Sequence, residues 1–369
     1  MYGPKSGGLK TTILELSRQY ELLGNDVLVI TPGEKDSFLS TGRITHVTVA
    51  APKIPFSGGY RIILRVNYVM SRIREFNPDV LEISDRTTLL KVARWAEGQG
   101  IPTTFFAHER VDGLVKSFAK FLPFKAKFVT HWNRFTRDSV SRIVATTEFA
   151  AEEFQQLGMI TSSAPQSKLV SVPLGVDLDR FSPLESEDDE RAINEPYILA
   201  CTRLSKEKDP IFLISIAEEL ERRGVDAPLY IAGSGPLEAK MQKMIYRKNL
   251  NIRLLGFISE KEELAQWMRE ASVFLAVGPI ETFGLAALET LASGTPVICR
   301  SEAAISEIVS VDSGKALTRS ASDWADAIQQ YLASDREFTR IHARARAEQF
   351  TWENTADQLL SLYREDLAS

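Results

Sequence analysis

The sequence predicts an α/β chain made of two tandem, Rossmann-like doubly wound domains, and three observations carry that prediction. Short apolar runs rich in β-branched residues alternate with amphipathic helical patterns, the order that builds parallel sheets covered on both faces. The alternation runs twice, before and after an acidic stretch at 184–195 that has no apolar period. The length, 369 residues, is more than one typical domain and comfortable for two. The expected layout is a first domain over 1–183, a linker over 184–195 and a second domain over 196–350. A final helix over 351–369 is expected to return to the first domain.

Composition narrows the function classes. Hydrophobic residues are 44% and charged residues 25% of the chain, the profile of a soluble globular protein. No apolar run approaches the roughly 20 residues of a membrane span, and the start lacks the pattern of a secretion signal. Cys201 and Cys299 lie in apolar strand-like runs and read as buried reduced thiols, so a cytoplasmic location is expected. Four histidines, none spaced for metal ligation with another, offer no zinc framework. The net charge of −5 hides an asymmetry: residues 1–183 carry +5 and residues 184–369 carry −10. Different partners for the two halves are expected.

In chain order, Gly7 and Gly8 form a turn that feeds a helix with Leu9, Ile13, Leu16 and Tyr20 on one side. Strand patterns follow at Asp26–Thr31, His46–Ala51, Val80–Ser84, Thr103–Ala107, Arg142–Thr146 and Leu169–Val172. No strand precedes the first helix, although the first strand of a doubly wound sheet is usually central. The expectation is that the natural chain begins about ten residues upstream or that another segment fills the slot. The second series is Tyr197–Thr202, Leu229–Ala232, Ile252–Leu255, Val273–Val277, Pro296–Cys299 and Lys315–Thr318. Ligands of such sheets bind at the carboxyl ends of the strands, which places the expected site between the domains.

The stretch Val273–Cys299 is the densest in chemistry: strand, Gly-Pro turn, helical segment, Gly294 stop, strand. Read as one helix, Glu281 and Glu289 return to within about 80° of one face, and Thr282–Leu285 offer N–H groups to an anion. Arg203 and Lys208 leave a strand end together, where two cations would neutralise a diphosphate leaving group. Gly233, Ser234 and Gly235 end another strand, where small residues let a ligand approach the backbone. Gly256, Phe257, Ile258 and Ser259 end a third, suited to a flat base.

Taken in order, TRLSKEK, IAGSGP, LLGFIS and ETFGLAALETLASGTPVI, with VPLGVDLDRFSP ahead of the linker, resemble the retaining glycosyltransferases of family four, of the GT-B fold. GPIETFGLAALE, SDRTT at Ser84–Thr88 and AHE at Ala107–Glu109 are most similar to actinobacterial α-mannosyltransferases that use GDP-mannose. The resemblance implies roles. Glu281 would bind the donor sugar hydroxyls, with backbone N–H groups of Thr282, Phe283, Gly284 and Leu285 nearby. Glu289 would hold the ribose, Arg203 and Lys208 the pyrophosphate, and Gly8 would close over it from the first domain. His108 ends a first-domain strand and would lie near the reacting sugar, while Gly7, Asp85 and Arg86 are acceptor-side candidates. The same resemblance implies front-face attack with retention, no required metal and no cofactor beyond the nucleotide sugar. Rivals are the same fold with a UDP-sugar donor, a nucleotide-sugar epimerase, and a non-catalytic donor-binding subunit.

Lys116–Arg142 carries seven Lys or Arg against one Asp, interleaved with Phe118, Phe121, Phe124, Phe128, Trp132 and Phe135. A basic face with aromatic anchors suits an anionic membrane surface, and the alternative is a core helix with its charges outside. The acidic second half argues against nucleic acid. The expected protein is a peripheral membrane enzyme that moves mannose from GDP-mannose to a lipid or glycan hydroxyl.

Overall fold

The computed structural model describes residues 8–54, 61–108, 110, 125–162, 164, 167–183 and 195–368. The expected linker and Gly7 lie outside the described residues, as do Glu109 and most of Lys116–Phe124. The chain divides into two compact units, Met1–Gly175 with Trp352–Ser369, and Val176–Thr351. The boundary falls ahead of Pro183. Phe181 is fully buried in the second unit, and Arg344 donates to the carbonyls of Leu178 and Phe181 at 3.0 and 2.9 Å. These contacts hold Val176–Pro183 to the later chain, which corrects the division expected at 183.

The second unit is a six-stranded parallel sheet. Its strands are β8 Ile198–Cys201, β9 Leu229–Ala232, β10 Ile252–Gly256, β11 Val273–Ala276, β12 Val297–Arg300 and β13 Gly314–Leu317. They run in the order β10-β9-β8-β11-β12-β13, all parallel, so the first strand is central and the order reverses beside it. The strands are short, continuous apolar runs because both faces are covered. Helices α6 Ile211–Arg222, α7 Glu238–Lys248, α8 Lys261–Glu270, α9 Leu285–Ala292 and α11 Ala321–Ala333 connect or cover them. Trp324 is fully buried against Phe212 and donates its indole N–H to the Thr318 carbonyl at 2.8 Å, so its polar end is satisfied inside the core.

The first unit has two sheets. One joins β1 Val27–Gly33, β2 Ser37–Thr41 and β3 Ile44–Ala50 in the order β1-β3-β2, with β2 antiparallel. The other is parallel, β4 Leu81–Ile83, β5 Thr103–Ala107, β6 Arg142–Ala145 and β7 Leu169–Ser171 in chain order. Strand β2 was not expected: it is exposed throughout and polar at alternate positions without an apolar face. Helices α1 Gly8–Leu22, α2 Val66–Phe76, α3 Leu90–Glu97, α4 Lys125–Arg137 and α5 Glu148–Gln155 belong to this unit. So does the last helix, α13 Trp352–Ala368. It is tied there by Asp366 paired with Arg142, by Thr355 donating to the Pro173 carbonyl, and by Tyr363 donating to Glu82. Among the described residues no helix is long and apolar enough to cross a membrane.

Gly233 is a point where backbone geometry dictates the residue. Its φ is +135°, and a Cβ there would lie 1.9 Å from the Thr202 carbonyl oxygen. Replacing Gly233 with Ala is expected to cost about 2–3 kcal/mol through strain and the clash with fixed backbone. Chemical denaturation of the variant against the parent checks this.

Candidate active site

The carboxyl end of the central strand β8 collects the charged residues of the second unit. After Cys201 the chain runs through Thr202 and Arg203 into a single 3₁₀ turn, Lys206–Lys208, and Asp209 follows in the left-handed region at φ +47°. The loop after β9 locks this segment. The Leu204 N–H donates to the Ser234 carbonyl at 3.1 Å, and the Leu237 N–H returns to the Leu204 carbonyl at 2.9 Å. Gly233 and Gly235 are therefore small because Thr202 and Leu204 backbone presses on them; a Cβ at Gly235 would stand 2.5 Å from the Leu204 oxygen. This corrects the expectation that ligand approach explains those glycines.

Lys208 Nζ donates to Glu281 Oε2, and the two side chains are 23% and 31% exposed. Glu281 is in the loop before α9, and the helix begins only at Leu285 after Gly284 at φ +98°. The one-helix reading of Glu281 and Glu289 is thus overturned, as is the anion site at the N–H groups of Thr282–Leu285 as a first helical turn. The Glu281 carbonyl accepts from Ala304 N–H at 3.3 Å, and a Cβ on Gly284 would strike Ile305 at 2.3 Å; this turn is fixed by contacts remote in sequence. The two carboxylates do converge by another route. Burial and then the charges of Glu289 and Glu281 push the Cys201 thiol up to about 12, so both carboxylates face the end of β8. Phe283 is buried against Phe350, so only its backbone is available to a ligand.

Phe257 follows β10 and is 47% exposed, while Ile258 is half-buried and Ser259 exposed. Arg203, Ser234 and Thr282 are all partly exposed. Sequence reasoning missed a cluster behind Lys208. Asp209 Oδ2 accepts from Arg319 Nε at 2.7 Å and from Arg300 Nη1 at 3.3 Å, and Arg300 also pairs with Glu302. Arg300 ends β12, and a strand-end cation was the signal that could have found it.

In the first unit, His108 follows β5 and stacks on Phe106, ring centroids 5.0 Å apart. Burial lowers its pKa to about 3, so the imidazole is neutral at physiological pH. Asp85 is turned onto its own loop, accepting from the Thr87 N–H at 2.6 Å. Arg86 is buried, paired with Glu153 at 2.6 Å and bonded to Asn133 at 3.0 Å. Its guanidinium is committed to the core, which corrects the acceptor-side expectation for Arg86. Gly8 opens α1 and is exposed. Among the described residues no group of three or more His, Cys, Asp or Glu could hold a metal ion.

A switch point of a doubly wound sheet, with a lysine, an arginine and two carboxylates at its carboxyl edge, defines a nucleotide-sugar-type transferase domain. Residues 183–348 match the family described as "Glycosyl transferases group 1", and residues 6–180 match "Glycosyltransferase Family 4". A "GDP-mannose-dependent alpha-(1-6)-phosphatidylinositol dimannoside mannosyltransferase" of Mycobacterium tuberculosis is 38% identical, over 98% of this chain and 93% of its own length. The "Alpha-monoglucosyldiacylglycerol synthase" of Acholeplasma laidlawii is 26% identical over 81% of this chain and 78% of its own. Among solved structures, a sucrose-phosphate synthase from Thermosynechococcus elongatus superposes with a TM-score of 0.75 at 20% identity, covering 98% of this chain and 94% of that one. A glycosyltransferase from Rickettsia africae gives 0.74 at 17%, covering 98% and 96%. The chain belongs to glycosyltransferase family four, of the GT-B fold, and it is a hexosyltransferase.

A half-exposed ion pair such as Lys208–Glu281 contributes no more than about 1 kcal/mol to folding. Lys208→Met and Glu281→Gln are therefore expected to melt within a few degrees of the parent while losing about 10²–10³-fold in kcat. Thermal melts alongside turnover check both. For His108, the unfolded chain binds a proton near pH 6.5 and the folded chain only near 3. Stability is thus expected to fall as pH drops below about 6.5, and His108→Gln should flatten that slope in denaturation measured from pH 7 to pH 5.

Proposed function

We propose that this protein transfers mannose from GDP-mannose, with retention of anomeric configuration, to a lipid acceptor of the phosphatidylinositol mannoside type. The observation that carries the reading is the convergence of Lys208, Glu281 and Glu289 on the carboxyl end of β8, with Arg203 on the same loop. The relative with 38% identity along 98% of the chain, whose name specifies GDP-mannose and a phosphatidylinositol dimannoside, supports both donor and acceptor class.

Arg203 and Lys208 neutralise the donor pyrophosphate and stabilise the departing GDP. Lys208 exchanges its partly solvated contact with Glu281 for the phosphate, which leaves Glu281 to accept from sugar hydroxyls. Glu289, a two-oxygen acceptor, takes the ribose hydroxyls, and exposed Phe257 offers a face to the base. The acceptor oxygen attacks the anomeric carbon as the bond from that carbon to the phosphate oxygen breaks. The acceptor proton passes to that same phosphate oxygen. His108 stays neutral and serves as a hydrogen-bond partner near the sugar. Charge neutralisation rests on Arg203 and Lys208 rather than on a divalent ion.

The membrane-facing element is α4. Phe128, His131, Arg134 and Phe135 are exposed and lie on one side of this helix, with Lys127 beside them. Trp132 is turned inward, its indole donating to the Arg86 carbonyl at 2.8 Å. This divides the expected aromatic stripe into anchors and a strut. The exposed set places aromatic rings among basic charges, which suits the surface of an anionic bilayer.

Three measurements test the reading. A thermal-shift screen is expected to give a clear rise in Tm with GDP and GDP-mannose and a smaller one with UDP-glucose, because a true donor stabilises the folded form by mass action. A larger response to UDP-sugars would overturn the donor assignment. Transfer is expected to persist in excess EDTA. Co-sedimentation with phosphatidylinositol-containing vesicles is expected at low salt and to weaken several-fold with Phe128→Ser and Arg134→Ser together; no binding would remove the membrane role of α4.

A further inference from the structure

Strands β1 and β4 face one another across a cavity of about 610 Å³ inside the first unit. Val27–Pro32 line one side of it and Val80–Ser84 the other. β1 is paired only with β3 and β4 only with β5, so among the described residues each sheet ends in an open edge at this cavity. Both faces are already roofed, by Leu16 and Tyr20 of α1 with Leu360 and Tyr363 of α13, and by Val69 and Ile73 of α2. The second unit shows the same arrangement completed. There the order is β10-β9-β8-β11, and α6 links β8 to β9; here β3, β1, the cavity and β4 stand in that order, and α1 leads into β1. The cavity occupies the position of β8.

Burial tells the same story. β8 and β11 are buried nearly throughout, whereas β1 is only half-buried at six of its seven residues and β4 at two of three. Open N–H and C=O groups along two facing edges need a partner that donates and accepts to both sides. A peptide strand does this; an acyl chain or a sugar leaves most of them unsatisfied. With about 4.8 Å between strands, about 10 Å between layers and about 3.3 Å of rise, one strand residue fills about 160 Å³, so the cavity accepts about four residues.

We propose that this cavity is a strand-accepting slot, filled by an apolar segment of about four residues that pairs in parallel with both β1 and β4 and joins the chain ahead of α1. The segment MYGPKSG has two glycines, a proline and no apolar run, so the strand is supplied by residues encoded ahead of Met1. Its pairing merges the two sheets into one seven-residue-wide order of strands, β2-β3-β1-slot-β4-β5-β6-β7, with the inserted strand central.

The proposal is independent of the transfer reaction, and its readout is backbone exchange rather than turnover. Three chains are compared by hydrogen–deuterium exchange: the chain from Met1, the chain extended by about ten residues encoded upstream in its gene, and that extension with a proline at the centre of its apolar run. Amides of Val27–Pro32 and Val80–Ser84 are expected to exchange about tenfold or more slowly in the extended chain, with a higher Tm, and to lose both gains with the proline. Edges already protected in the chain from Met1 would overturn the proposal, whether through residues 1–7 or, if sedimentation shows a dimer, a second copy. An upstream sequence without an apolar run, or an extension that leaves exchange unchanged, would overturn it too.

Discussion

Strand β8 pairs with β9 on one side and β11 on the other, and the chemistry of the second unit depends on that double pairing. A strand held on both edges cannot shift without breaking two ladders, so the loop that leaves it starts from a fixed point. The β9 loop then clasps that loop backbone to backbone, at contacts that tolerate only glycine at positions 233 and 235. Arg203 and Lys208 are thereby delivered to the switch point with little freedom in their main chain. Flexibility is left to the side chains, where an ion pair weak enough to exchange suits a site that must take up and release a charged ligand.

Behind Lys208, Asp209 adopts a left-handed conformation and receives Arg300 and Arg319 from the ends of β12 and β13. The backbone at Asp209 is strained for a residue other than glycine or asparagine, and the two arginines offset that strain. Arg319 also lies over the Phe212 ring at 4.7 Å, so the cluster is anchored to the core of α6. The turn carrying Lys208 is therefore braced from the far side of the sheet.

The first unit shows what the same topology becomes with a gap at its centre. Its helices are in place, held partly by Glu82, whose carboxylate accepts from both Tyr20 and Tyr363 at 2.5 and 2.6 Å and is raised in pKa by burial. Those bonds tie α1 and α13 to β4 across the face of the cavity, so the roof persists although the strand beneath it does not.

The sequence by itself determined the fold class, the position of nearly every parallel strand and the family. Apolar runs of four or five residues and the ordered strand-end blocks are local patterns, and β5 and β9 have the bounds expected from them. It also determined that a central strand was not among the patterns before α1. Tertiary structure alone decided the rest, because each case depends on partners far away in the chain. Glu281 lies off the helix because Ala304 and Ile305 shape its turn; Arg86 faces inward because Glu153 and Asn133 await it. The glycines after β9 answer to Thr202 and Leu204, and Val176–Pro183 joins the second unit because Arg344 holds it. Periodicity and spacing describe how a segment relates to itself, whereas a side chain's partner across 70 or 160 residues is set only when the sheets and helices have packed.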